Sequence, residues 1–177
     1  MKVMTSVKTL LGSALLATGA LLVGCASEPP VPPLTIGDSV NLKDVTDQNH
    51  QPFAHQEDMK VLMFVEGMEA KELVRESLET IDTRCMKDGE LVYLANISRM
   101  PSIISQLVAV PAMRDYPYPV WLDWGGEASL GLPVREDQVT VLSLDRQSIV
   151  RADYYESTSD LSRFLTTLCG PASQESP

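Results

Sequence analysis

Basic residues are scarce in this chain: 14 lysines and arginines face 24 aspartates and glutamates, for a formal net charge of −10 over 177 residues. That balance excludes nucleic acid, and argues against anionic lipid, as the main partner, because phosphate binding wants a basic surface. Histidine is almost missing. The two that occur, His50 and His55 in "DQNHQPFAHQED", have Asp47, Glu57 and Asp58 nearby, but their spacing fits no metal motif and reads as a polar surface loop. No serine sits in a G-x-S-x-G elbow, so Ser-His-Asp chemistry has no foothold. Aromatics make up 6% of residues and concentrate in "YPYPVWLDW", Tyr116 to Trp124, read as a core strand with covering aromatics or as a recognition patch. Cysteines number three, there is no internal repeat, and the one long apolar run lies within the first 24 residues.

That run is a targeting signal. "MKVMTSVK" places Lys2 and Lys8 ahead of "TLLGSALLATGALLVG", which has the length of a signal-peptide core rather than of a membrane span. "LVGC", Leu22 to Cys25, resembles the bacterial lipobox. The resemblance implies cleavage between Gly24 and Cys25 and acylation of the Cys25 thiol and the new amine. Several acyl chains anchor a protein stably, where a single one does so only marginally. No aspartate follows Cys25, which by resemblance to Gram-negative lipoproteins favours the outer membrane, facing the periplasm. Loss of residues 1–24 leaves 12 basic against 24 acidic residues. Residues 25–33 then form a lipidated cysteine and a stiff proline-rich tether, "SEPPVPP".

The domain is expected over residues 34–170, with a disordered tail at 171–177. "LTIGDSVNLKDVTDQNHQPF" reads as two short strands around a turn, and "KVLMFVEG" as a strand buried on both faces. "EAKELVRESLETIDTRCM", Glu69 to Met86, has helical spacing, with Leu73, Leu78, Ile81 and Cys85 on one face and an acidic first turn that suits the helix dipole. "LVYLANIS" is a second buried strand, and "SIISQLVAVPAMRDY" is helical up to Pro111. "YPVWLDW" gives a strand ending at Asp123, "QVTVLSLDRQSIVRADYY" a hairpin turning at Asp145–Gln147, and "STSDLSRFLTTLCG" a closing helix capped by Ser157 or Ser159. Met59, Met63, Met68 and Met86 are expected core fillers.

Strand, helix, strand, helix, strand, hairpin and helix make an α/β layer fold with a mixed sheet. The opening "IGDSVNLKDVTDQNHQPF", the strand "KVLMFV", the returning segment "YPVWLDWGGEASLGLP" and the hairpin "VTVLSLDRQSIVRA" follow in an order that resembles the thioredoxin fold. More closely still, the order resembles that of its peroxiredoxin-like and membrane-anchored relatives, over about residues 34 to 169. This implies a thioredoxin-like mixed sheet flanked by helices, with an N-terminal β-hairpin. It also places "FVEGMEAKELV" over the site where redox members carry Cys-x-x-Cys, with Glu69 and Glu72 at the cysteine positions and Glu66 nearby. A carboxylate shares the thiolate's preference for a helix N-terminus but attacks neither disulfide nor peroxide.

Cys85 and Cys169 remain after lipidation, and an exported location is oxidising. In a thioredoxin-like sheet the helices that carry them share a face and a direction, so the resemblance implies a Cys85–Cys169 bridge; the alternative is two separate buried thiols. The function expected is that of a membrane-anchored binding or assembly module with a redox-inactive domain. It would need no cofactor, and its partners would be the membrane, through Cys25, and an envelope protein met at the corner Glu66, Glu69 and Glu72. The rival is a thiol-disulfide or peroxide oxidoreductase using Cys85 and Cys169.

Overall fold

The computed structural model describes residues 31–172 except Lys43, Glu66 and Gly67, and excluding the side chains of Met68 and Glu69. The signal peptide, Cys25, Glu66 and the tail from residue 173 lie outside the described residues.

Six strands form one mixed sheet in the order β1-β4-β3-β2-β5-β6: β1 Thr46–Asp47, β2 Val61–Val65, β3 Leu91–Asn96, β4 Trp121–Asp123, β5 Val139–Asp145 and β6 Ser148–Tyr155. β2, β3 and β4 run parallel, β5 pairs antiparallel with β2, β6 with β5, and β1 with β4. This is the α/β thioredoxin-like arrangement that the order of sequence elements implied.

β2 explains why the sheet is covered on both sides. Successive side chains of a strand point to opposite faces. Val61, Met63 and Val65 therefore pack with α1 (Met68–Leu78) and α5 (Thr158–Cys169), through Ala70, Val74, Leu78, Leu161 and Leu165. Leu62 and Phe64 point the other way, into Val40, Leu42, Phe53, Trp121 and Ile149. A continuous apolar run with no polar face is what this double coverage requires.

Four details depart from the sequence reading. The N-terminal hairpin is minimal: β1 has two residues and its return is a single bridge, Thr46 to Pro52. Val40 and Leu42 are buried, and their segment pairs with the β5–β6 hairpin instead, Val40 N–H bonding the Gln147 carbonyl and Gly37 N–H the Ile149 carbonyl. The long first helix is broken. α1 stops at Leu78, and a separate α2, Arg84–Lys87, carries Cys85, because Ile81 turns aside to bridge Pro171. Within α1 the buried face runs through Ala70, Val74, Ser77 and Leu78, and Leu73 is only partly buried. Finally, the helical stretch after β3 passes through Pro111, as α3 (Ser102–Ile104), a π-helical turn (Ser105–Ala109) and α4 (Val110–Met113). Proline has no N–H for the carbonyl four residues back and its ring crowds that carbonyl; opening the preceding turn to π spacing relieves both.

Local chemistry closes the remaining elements. Ser157 caps α5 by accepting a hydrogen bond from Asp160 N–H. Arg146 and Gln147, at φ 46° and 74°, form the two-residue loop that joins β5 to β6. Gly89 turns the chain from α2 into β3 at φ +79°, with His55 pressed where a β-carbon would sit.

Candidate functional site

β2 delivers the chain to a strand-to-helix corner where α1 begins at Met68. Of the three acids expected there, Glu66 lies outside the described residues and Glu69 takes its place in the first turn of α1. Glu72 is exposed and turned along the helix, where Arg75 donates to both its oxygens, at 2.5 and 3.1 Å. The same guanidinium bonds Glu79 at 2.5 Å. Those hydrogen bonds from Arg75 hold the Glu72 carboxyl below its usual range, and Glu72 in turn keeps Arg75 charged. A carboxylate held ionised by a neighbouring cation is poorly suited to general-acid work at neutral pH.

The structure brings this helix against the aromatic stretch. A cleft of about 190 Å³ opens between them, its rim formed by Lys71, Glu72 and Arg75 of α1 and by Tyr116. Its apolar floor is Tyr93 and Ala95 of β3 with Tyr118 and Val120. The Tyr116 and Tyr118 rings stand 5.3 Å apart. Burial pushes the Tyr118 phenol up to about 12, with Tyr116 adding to the effect, and burial raises Tyr93 as well. Both phenols therefore stay protonated at any physiological pH.

Gln48 builds this wall, and nothing in the sequence signalled it. Its side chain is 3% exposed. The amide nitrogen donates to the Tyr118 carbonyl at 2.9 Å and the Met113 carbonyl at 3.3 Å, while its oxygen accepts from Val120 N–H at 2.9 Å. One buried amide thus fixes the backbone on both sides of Pro119. The stretch "YPYPVWLDW" divides accordingly. Trp121 is core, edge-on to Phe53 at 4.7 Å, while Trp124 is half-buried, stacked 6.0 Å from His50 and bonded to Thr46 Oγ1 at 3.1 Å.

The two cysteines of the domain lie elsewhere. Cys85 and Cys169 form a disulfide with Cα atoms 5.5 Å apart. The bridge lies beyond the far end of α1 from the corner, and 11 helical residues span about 16 Å. Cys85 is 9% exposed, and the junction is also tied by Asp82 N–H to the Gly170 carbonyl and Ala172 N–H to the Thr80 carbonyl.

The histidines do not converge. His50 faces Trp124, and His55 lies 3.5 Å from Asp58. Asp47 is occupied in its own turn, accepting from Asn49 and Gln51 N–H groups. Among the described residues no group of three or more histidines, cysteines and acids is placed to hold a metal. Met59, Met63 and Met86 are buried core residues. A broader open cleft of about 670 Å³ lies where β6 passes into α5, with Arg135 3.8 Å over the Tyr154 ring; no sequence motif marked it.

No protein-family profile matches the chain, and no curated protein is significantly similar to it in sequence. Among solved structures it is similar to a candidate protein disulfide isomerase from Bacteroides thetaiotaomicron, at 13% identity and a TM-score of 0.44, covering 76% of this chain and 92% of that one. It is also similar to a thiol peroxidase from Chromobacterium violaceum, at 14% identity and a TM-score of 0.40, covering 79% and 90%.

Proposed function

We propose that this chain is a lipoprotein of the cell envelope, anchored by acyl chains on Cys25 and facing the periplasm from the outer membrane. In this reading its thioredoxin-like domain binds an envelope protein and performs no redox chemistry. The observation that carries the reading is the separation of sulfur from the corner. The corner offers carboxylates, one of them ion-paired, while the two domain cysteines are bonded to each other past the opposite end of α1. Thiol chemistry at such a corner needs a thiolate on the helix N-terminus, where dipole and donors lower its pKa. What the corner retains is a recognition surface: a small aromatic-floored cleft with a charged rim, set beside the half-exposed Tyr116.

The test is a redox titration of the full chain isolated from cell membranes, read by alkylation and intact mass. Three acyl chains on Cys25 and a Cys85–Cys169 bridge that survives to below about −300 mV are expected, the range of structural disulfides. A potential between about −120 and −230 mV would place the pair among working oxidoreductases and replace this reading with the enzymatic one.

A further inference from the structure

We infer that the outer face of the helical stretch Ser102–Met113 rests on the phospholipid surface to which the chain is anchored; this builds on the Cys25 anchor proposed above. Ile103, Ile104, Leu107 and Val108 are 69%, 46%, 73% and 59% exposed. Residues one turn apart stack on one side of a helix, so these four make a single aliphatic face, while Ser105 and Val110 turn inward and are buried. A contiguous aliphatic face left open to water marks an interaction surface.

Charge and chain path select the occupant. From Leu91 to Arg114 the only ionic residues are Arg99 and Arg114, one at each end of the stretch, with acidic residues resuming at the exposed Asp115. Neither belongs to an ion pair among the described residues. Arg114 Nε donates to the Gln48 carbonyl at 3.1 Å, which leaves its charge unneutralised. In a chain of net charge −10 this face is the exception to the acidic balance. An uncharged aliphatic face bracketed by arginines suits the headgroup boundary, where the side chains enter the acyl region and the guanidinium groups meet phosphates. The chain enters the described domain near the same place. Leu34 N–H bonds the Gly131 carbonyl at 2.6 Å, and in the same loop Ser129 Oγ accepts from Asn96 Nδ2, at the end of β3, at 2.7 Å. The helical stretch begins six residues after Asn96, so the entry of the chain at Leu34 and the start of this helix lie at one end of β3. Val31 stands six positions after Cys25, at most ~20 Å of extended chain.

The experiment introduces a reporter by Leu107→Trp in the full chain, isolated from membranes and reconstituted in vesicles of phosphatidylethanolamine and phosphatidylglycerol, three parts to one. The vesicles carry acyl chains brominated near the headgroup. After subtraction of the parent signal, emission from the new tryptophan should fall by roughly half or more, as expected for insertion 5–10 Å below the surface. Adding Ile103→Asp and Val108→Asp should abolish the quenching while leaving the thermal midpoint in place, since both positions are exposed. Undiminished emission from a chain whose intact mass shows acylated Cys25 overturns the lipid contact and leaves the anchor standing. Undiminished emission with a dimer in sedimentation gives the face to a second copy instead. A Cys25 without acyl chains overturns the anchor, and this inference falls with it.

Discussion

Removing the Cys85–Cys169 bridge should lower stability through the unfolded chain far more than through the folded one. The bridge spans a sequence separation of 84 residues. The chain-entropy relation gives about 4.5 kcal/mol for a loop of that length at 25 °C. A domain of roughly 140 ordered residues unfolds with an entropy near 0.3 kcal/mol/K, so the loss corresponds to a fall of about 15 °C in the thermal midpoint. The native junction survives without the sulfur bond. Asp82 N–H to Gly170 O at 3.1 Å, Ala172 N–H to Thr80 O at 3.0 Å and the Ile81–Pro171 bridge hold the same two segments together.

The kinetic signature follows from that redundancy. If the bridge acts on the unfolded chain, Cys85→Ser with Cys169→Ser should slow folding and change unfolding little, because the native interactions that unfolding breaks are nearly the same in both proteins. Scanning calorimetry gives the midpoint, and a denaturant chevron of the double variant against the oxidised parent divides the effect between the two rates. A midpoint shift below about 4 °C would refute the entropic argument. So would an effect carried mainly by the unfolding rate, which would mean that the bridge stabilises native packing instead.

Gln48→Ala leaves Val120 N–H and the Tyr118 carbonyl without their buried partner, for an expected loss of about 1–3 kcal/mol by urea unfolding. Amide exchange should quicken at Val120 and Trp121, and unchanged protection there would contradict the pinning role. Gly89→Ala forces a β-carbon onto His55 at a φ of +79°, so a loss of at least about 2 kcal/mol is expected, measured in the same way. Tyr118, raised to about 12, and Tyr93, raised also, bind their protons more tightly folded than unfolded. The native state therefore holds more protons than the unfolded chain above about pH 10, and stability that is level below that pH should decline from 10 through 12. Tyr155 is raised as well by burial, so late phenolate transitions for three of the five tyrosines, seen by ultraviolet titration, would accompany the decline; simultaneous ionisation of all five would contradict it.

The parts of this fold that are legible in the sequence are those whose residues answer only to local periodicity and burial. "VLMFV" is apolar at every position because both faces are covered, and "STSDLSRFLTTLC" places its cap and its apolar stripe at helical spacing. The parts that resist reading depend on partners far along the chain. Thr80–Thr83 carries local breakers, with Asp82 accepting from Arg84 N–H, but not the partner that Ile81 then meets, Pro171, some ninety residues on. Pro111 reads as a helix stop because sequence rules assume α spacing, and the π turn that admits it is a property of the whole stretch. The cleft was half visible. Glu72 and Tyr116 were each singled out, but their meeting across β3, and the buried amide of Gln48 that arranges it, exist only in three dimensions.

A helix N-terminus stabilises any anion placed on it, and a thiolate and a carboxylate gain alike from the dipole. The stabilisation that lets a thiolate act as a nucleophile only holds a carboxylate in its ionised, unreactive form. At Glu72 the pairing with Arg75 carries this further, tying the side chain along the helix and away from the first turn. Any specificity at this end of the sheet must then come from the neighbouring wall, where Gln48 fixes the tyrosine backbone against β3. Under the binding role proposed above, substitution at Gln48 is accordingly expected to disturb recognition more than substitution at Glu72, although Gln48 is buried and Glu72 is in full view of solvent.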